Sequence, residues 1–155
     1  MVMDVNEKAP DFTLPDENGE PVTLSSFKGK PIVLFFYPRA NTSGCTTEAC
    51  GFRDNYGKLI RSGLIVLGIS PDTAKAQKKF QEKYELPYTL LADADKEVAK
   101  LFDVLKEKNM YGKKVMGIER TTFLIGPDGT IAQVWRKVKP EGHAEQILAE
   151  AKAHK

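Results

Sequence analysis

Two stretches that are apolar on both faces constrain this chain more than any other feature. Residues 31–37 (Pro-Ile-Val-Leu-Phe-Phe-Tyr) and 64–70 (Leu-Ile-Val-Leu-Gly-Ile-Ser) lack the polar alternation of a sheet with one wet face, so both belong in the middle of a covered sheet. Between them, Ala49, Phe52, Tyr56, Leu59 and Ile60 recur at helical spacing, which predicts a helix from Cys45 to about Arg61. Strand, helix and strand in succession are what a parallel pair requires, because its partners can be joined only by a crossover.

The rest of the chain extends this pattern. Asp72 is positioned to cap a helix running to about Tyr84, residues 88–91 read as a short strand, and Asp95 opens a helix through about Phe102. Residues 103–119 read as a Lys- and Gly-containing connection. Residues 120–125 and 130–136 flank the turn Gly126-Pro127-Asp128-Gly129 as an antiparallel pair, and a last helix starts near Pro140. Ahead of all this, Phe12-Thr13-Leu14 and Val22-Thr23-Leu24 surround Asp16-Glu17-Asn18-Gly19, which suggests a small hairpin. The order fits an α/β protein of thioredoxin-like fold, with a mixed central sheet flanked by helices and an N-terminal β-hairpin extension. No repeat, low-complexity tract or linker divides residues 1–155, so one domain is expected.

Charge and cysteine usage narrow the function. With 23 Lys and Arg against 21 Asp and Glu the chain is close to neutral and its charges are interleaved, which argues against a nucleic-acid or anionic-membrane partner. The longest apolar run is far short of the roughly 18 residues of a membrane span, and no basic-then-apolar leader opens the chain, so a cytoplasmic location is expected. A chain of this length buries roughly 68–70% of its unfolded surface and needs no covalent staple. Its two cysteines are therefore free for chemistry, and a disulfide between them in a reducing compartment would be transient.

Cys45 falls where a strand-to-helix loop turns into a helix. The unpaired N–H groups and the positive end of the helix dipole there favour a thiolate, and such positions bring the thiol pKa from about 8.5 to roughly 3.5–7.5. A fall to about 6 raises the thiolate fraction near thirty-fold at neutral pH, too little for an efficient enzyme, so further groups must align the electrophile and stabilise its leaving atom. Thr42, three residues earlier, offers a hydroxyl able to accept from a substrate and donate to the sulfur.

The pattern Pro38-x-x-x-Thr42-x-x-Cys45 resembles the signature of peroxiredoxins, and with Cys50 it is similar to their peroxiredoxin Q or bacterioferritin comigratory protein branch. The resemblance runs from Ala9-Pro10-Asp11-Phe12 through Leu67-Gly68-Ile69-Ser70 to the strand that Arg120 opens. It implies a thiol peroxidase in which Cys45 is oxidised by a hydroperoxide to sulfenic acid, Thr42 contacts the peroxide and Pro38 shields the sulfenate. Arg120 would bring a guanidinium to sulfur and peroxide, and Cys50 would resolve the sulfenic acid into an intramolecular disulfide. Thioredoxin or a similar dithiol would be the reductant, with no metal or other cofactor and a monomer or weak homodimer as the assembly. Ser43 departs from the proline that many relatives carry.

Five residues along an α-helix separate two Cα atoms by roughly 8.7 Å, beyond the ~7 Å that a disulfide spans. Residues from Cys45 to about Phe52 are therefore expected to unwind on oxidation, helped by Gly44 and Gly51.

Other readings stand beside these. Cys50 could be a core cysteine on a helix face, and Glu48 either an Arg120 partner or a solvated first-turn acid. The same cysteine pair would also suit a redox sensor or a general disulfide oxidoreductase, though Cys-x-x-Cys is absent. His143 and His154 are expected in solvent, Trp135 in the core, and Lys106, Lys108, Lys113 and Lys114 in a solvated loop near Arg120. The stretch from Asp93 to Glu97 imitates a calcium loop but lacks its Gly and Glu, leaving a helix cap as the better reading.

Overall fold

The computed structural model describes residues 4–40 and 42–153. Strand β1 (Thr13–Pro15) pairs with β2 (Pro21–Thr23), and a 3-10 turn (Leu24–Phe27) leads to β3 (Ile32–Phe36). Helices α1 (Ser43–Asp54) and α2 (Tyr56–Arg61) cross to β4 (Ile65–Ser70), and α3 (Ala74–Lys83) crosses to β5 (Thr89–Ala92). Then come α4 (Glu97–Leu101), β6 (Leu105–Met110), β7 (Lys113–Ile118), β8 (Thr121–Ile125), β9 (Ile131–Trp135) and α5 (His143–Ala153).

The central sheet has the order β5-β4-β3-β8-β9. Strand β3 is parallel to β4 and antiparallel to β8, as the two apolar runs and the closing turn require. Every residue of β3 is buried, and alternation sorts them. Val33 and Phe35, continued by Tyr37, pack with Phe52 of α1, Phe80 of α3 and Ile147 of α5. Leu34 and Phe36 face Phe12 and the α4 side chains Val98 and Ala99. Gly68, opposite Phe35, leaves room for that ring, since a Cβ there would lie 2.9 Å from both Phe35 and Leu90.

Several boundaries differ from the sequence reading. The helix expected from Cys45 to Arg61 is interrupted at Asn55, whose side-chain amide donates to the Gly51 carbonyl at 2.8 Å and to Glu145 at 3.2 Å. The interruption resets the helical phase and leaves Ile60 half exposed. Helix α3 is capped by Thr73, which accepts from the Ala76 amide, and not by Asp72. Helix α4 begins at Glu97, and its amides at Val98 and Ala99 donate to Asp93, so Asp93 and not Asp95 is its capping carboxylate. Residues 103–119 are no simple connection: β6 and β7 form a two-stranded arm around Tyr111 and Gly112, both at positive φ. Its charged sequence hides the strands, and most of its described side chains are exposed or half-buried.

Candidate active site

Strand β3 leads to Tyr37, and a loop beginning at Pro38 connects to α1. Thr42 is the N-cap residue of α1, so Cys45 lies in its first turn with only 1% of its surface exposed. Two anchors hold the loop from below. Tyr37 donates its buried hydroxyl to Gln77 at 2.6 Å. Asp72 accepts from the Ala40 amide at 2.8 Å and from Ser70 at 2.6 Å. Asp72 thus fastens the loop that positions the cysteine, a role its place after β4 did not reveal.

Arg120 reaches the site through strand register. Because β8 is antiparallel to β3 and Thr121 pairs with Phe36, the residue just before β8 emerges beside the end of β3, next to the cysteine loop. Its Nη2 donates to Cys45 Sγ at 3.3 Å, and its Nη1 donates to Glu48 Oε1 at 2.8 Å. One rigid planar group therefore joins the sulfur to a carboxylate one turn along the same helix. Gly44 permits the approach, because a Cβ there would meet Nη2 at 3.2 Å.

Glu48 is buried, and its Oε2 has no hydrogen-bond partner among the described residues. Burial pushes its pKa up to about 7 against the opposing pull of Arg120. Burial also works against the charge of Arg120, but Glu48 and Cys45 outweigh it and hold the guanidinium pKa above its ordinary value. The solvated-acid reading of Glu48 is thereby replaced by an internal partner of Arg120.

Of the remaining residues singled out in the sequence, Pro38 is half-buried directly after Tyr37. Thr42 is exposed, and its hydroxyl donates to the Arg39 carbonyl at 3.2 Å rather than to the sulfur, which leaves its lone pairs to accept. Cys50 is half-buried on α1, and both cysteines are unpaired. His143 is not in solvent: it is 1% exposed, bonded to Thr122 at 2.8 Å and Gln146 at 3.1 Å, with its ring edge-on to Phe52 and to Trp135. Burial lowers its pKa, the Gln146 bond opposes this, and the Arg120 charge adds to it. His154 lies outside the described residues. Lys106 and Lys114 belong to the β6–β7 arm, where they pair with Asp103 and Glu107. No group of three or more His, Cys, Asp or Glu among the described residues could hold a metal. No described helix is long and apolar enough to cross a membrane.

The site sets a cysteine in the first turn of a helix under an arginine donor carried in from just ahead of β8. The comparisons place it further. The sequence matches the AhpC/TSA family over residues 5–134. It is 51% identical to a putative peroxiredoxin bcp of Coxiella burnetii over 96% of this chain and 98% of that protein. It is 47% identical to peroxiredoxin Bcp of Bacillus subtilis, over 96% and 94%. Among solved structures, the Xanthomonas campestris bacterioferritin comigratory protein, described by its alkyl peroxide reduction activity, superimposes with a TM-score of 0.91 at 42% identity, covering 97% of this chain and 98% of that one. A peroxiredoxin Q mutant of Xylella fastidiosa gives 0.94 at 38% identity, covering 99% and 98%. The chain belongs to the AhpC/TSA family and, within it, to the peroxiredoxin Q or bacterioferritin comigratory protein branch.

Proposed function

We propose that Cys45 is the peroxidatic nucleophile for hydrogen peroxide and organic hydroperoxides. The observation that carries the reading is the guanidinium bonded to Sγ at 3.3 Å, above the first turn of α1. The thiolate attacks the terminal oxygen of the hydroperoxide, an S–O bond forms as the O–O bond breaks, and the sulfur becomes a sulfenic acid while the leaving alkoxide or hydroxide takes up a proton. Arg120 lies where it can hold the substrate in line and balance charge on the leaving oxygen. Thr42, whose hydroxyl donates to the Arg39 carbonyl, accepts a hydrogen bond from the incoming peroxide. Pro38 limits water at the loop.

Cys50 then condenses with the sulfenic acid: an S–S bond forms, the S–O bond breaks and water leaves. Since both cysteines lie on α1, the helix opens between them first. Thioredoxin or a similar dithiol reduces the disulfide, in a cytoplasmic setting and with a monomer or weak homodimer as the working unit.

Coupled peroxide consumption with thioredoxin, run on wild type, Cys45→Ser and Cys50→Ser, tests this. The first variant should be inactive, and the second should accumulate sulfenic acid with little thioredoxin-supported turnover. Equal activity in all three would remove the mechanism. Consumption that stops near one equivalent in wild type with reductant present would favour a sensor.

A further inference from the structure

The helix that has to open is fastened from outside at a carbonyl lying between the two cysteines. Tyr88, directly ahead of β5, donates its hydroxyl to the carbonyl of Ala49 at 2.7 Å in a buried bond. The ring also packs against side chains outside residues 45–52. It lies edge-on to Phe35 of β3 with centroids 5.8 Å apart, and against Tyr56 of α2 at 6.1 Å. Burial raises the pKa of this phenol well above 10, so the hydroxyl remains a donor throughout the working range. Beyond Cys50 the chain is held separately, by Arg53 Nη1 on the Tyr84 carbonyl at 2.7 Å. Opening residues 45–52 therefore breaks the Tyr88–Ala49 bond, whereas the anchor at Arg53 can persist.

We propose that Tyr88 is a positioning residue that latches the closed form of α1 and so sets how long oxidised Cys45 waits for Cys50. The proposal rests on the reading of these cysteines as a peroxidatic and resolving pair. While the latch is closed, the sulfenate stays beside Arg120, where a second hydroperoxide can transfer an oxygen to it, giving sulfinate and the corresponding alcohol or water. Once the latch opens, the Cys50 sulfur displaces the sulfenic oxygen as water and this competing reaction ends. The net contribution of one buried hydrogen bond changes an opening equilibrium roughly three- to ten-fold.

Tyr88→Phe removes the hydroxyl and keeps the ring. Reduced wild type and variant are mixed with hydrogen peroxide in stopped flow and followed by the single tryptophan, Trp135. Its ring is edge-on to His143 at 5.9 Å, which in turn meets Phe52 at 5.8 Å, so it reports on α1. The expected result is a peroxide-independent second phase about three- to ten-fold faster, with the peroxide-dependent first phase unchanged. Sulfinic acid formed per turnover, read by mass spectrometry, falls by a similar factor. Amides of residues 46–52 exchange faster in the reduced variant while those of β3 and β4 do not. A second phase that is not accelerated overturns the proposal, as does an equal change in both phases. A wild type with no peroxide-dependent phase refutes the underlying cysteine-pair reading instead. A fluorinated tyrosine at position 88, a stronger donor, should slow the second phase, and it carries the test if Tyr88→Phe does not fold.

Discussion

Replacing Glu48 by glutamine measures what an ionisable group buried against Arg120 does to this fold. The side chain is fully buried and its pKa is pushed up to about 7 from the ordinary 4.5. Between those two values the native state keeps a proton that the unfolded chain has lost, so stability falls as pH rises, and the fall is complete above about 7. A difference of about 2.5 in pKa, at about 1.36 kcal/mol each, makes the loss about 3 kcal/mol. His143 acts in the opposite sense: its folded pKa is depressed below the ordinary 6.5, so the stability it contributes is lost as pH falls. Both proteins share that histidine, and it cancels in the difference. Urea unfolding of Glu48 and Glu48→Gln forms is compared from about pH 4.5 to about pH 8, in a Cys45→Ser, Cys50→Ser background that removes thiol titration and oxidation. The glutamine form should gain about 3 kcal/mol relative to its parent across the range. Stability curves that stay parallel within about 0.5 kcal/mol would refute the assignment of a native-state proton to Glu48.

Three further outcomes follow from the packing. Gly44→Ala places a Cβ 3.2 Å from Arg120 Nη2; the second-order rate with hydrogen peroxide should fall about tenfold with no loss of melting temperature, since alanine favours the helix. Gly68→Ala would bring a Cβ to 2.9 Å from Phe35 and Leu90, and denaturant unfolding should show a loss of about 1–3 kcal/mol. Hydrogen exchange across residues 45–55 should be faster in the disulfide form than in the reduced form, and identical protection in the two would contradict unwinding of α1.

Local spacing carried much of this protein. The two apolar runs, the helical period between them and the tight turn before β9 mark strands β3, β4, β8 and β9 to within a residue or two at each end; β3, β4 and β8 are buried almost throughout, and the turn places the half-buried β9. The arm of β6 and β7 carries no apolar period, because its sequence is rich in Lys and its described side chains are mostly exposed or half-buried. Asp72 and Asp95 have the right chemistry for N-caps, but nearby Thr73 and Asp93 supply the caps. Asp72 is drawn instead to the Ala40 amide by the packing of a loop that lies 32 residues away in sequence.

By itself, the sequence determined that a cysteine with a threonine and a proline at fixed offsets would open a helix at the end of a buried strand. Those residues share one short segment, whose conformation follows from local periodicity. The family resemblance implied Arg120 at the sulfur and left Glu48 open between an Arg120 partner and a solvated acid; only the tertiary structure decided that Glu48 is buried behind the guanidinium, that His143 is drawn inside against Thr122, and that Tyr88 meets the Ala49 carbonyl. Each depends on strand register or helix docking between residues distant along the chain. Such contacts are selected by how two surfaces fit, a property that no single stretch of sequence contains.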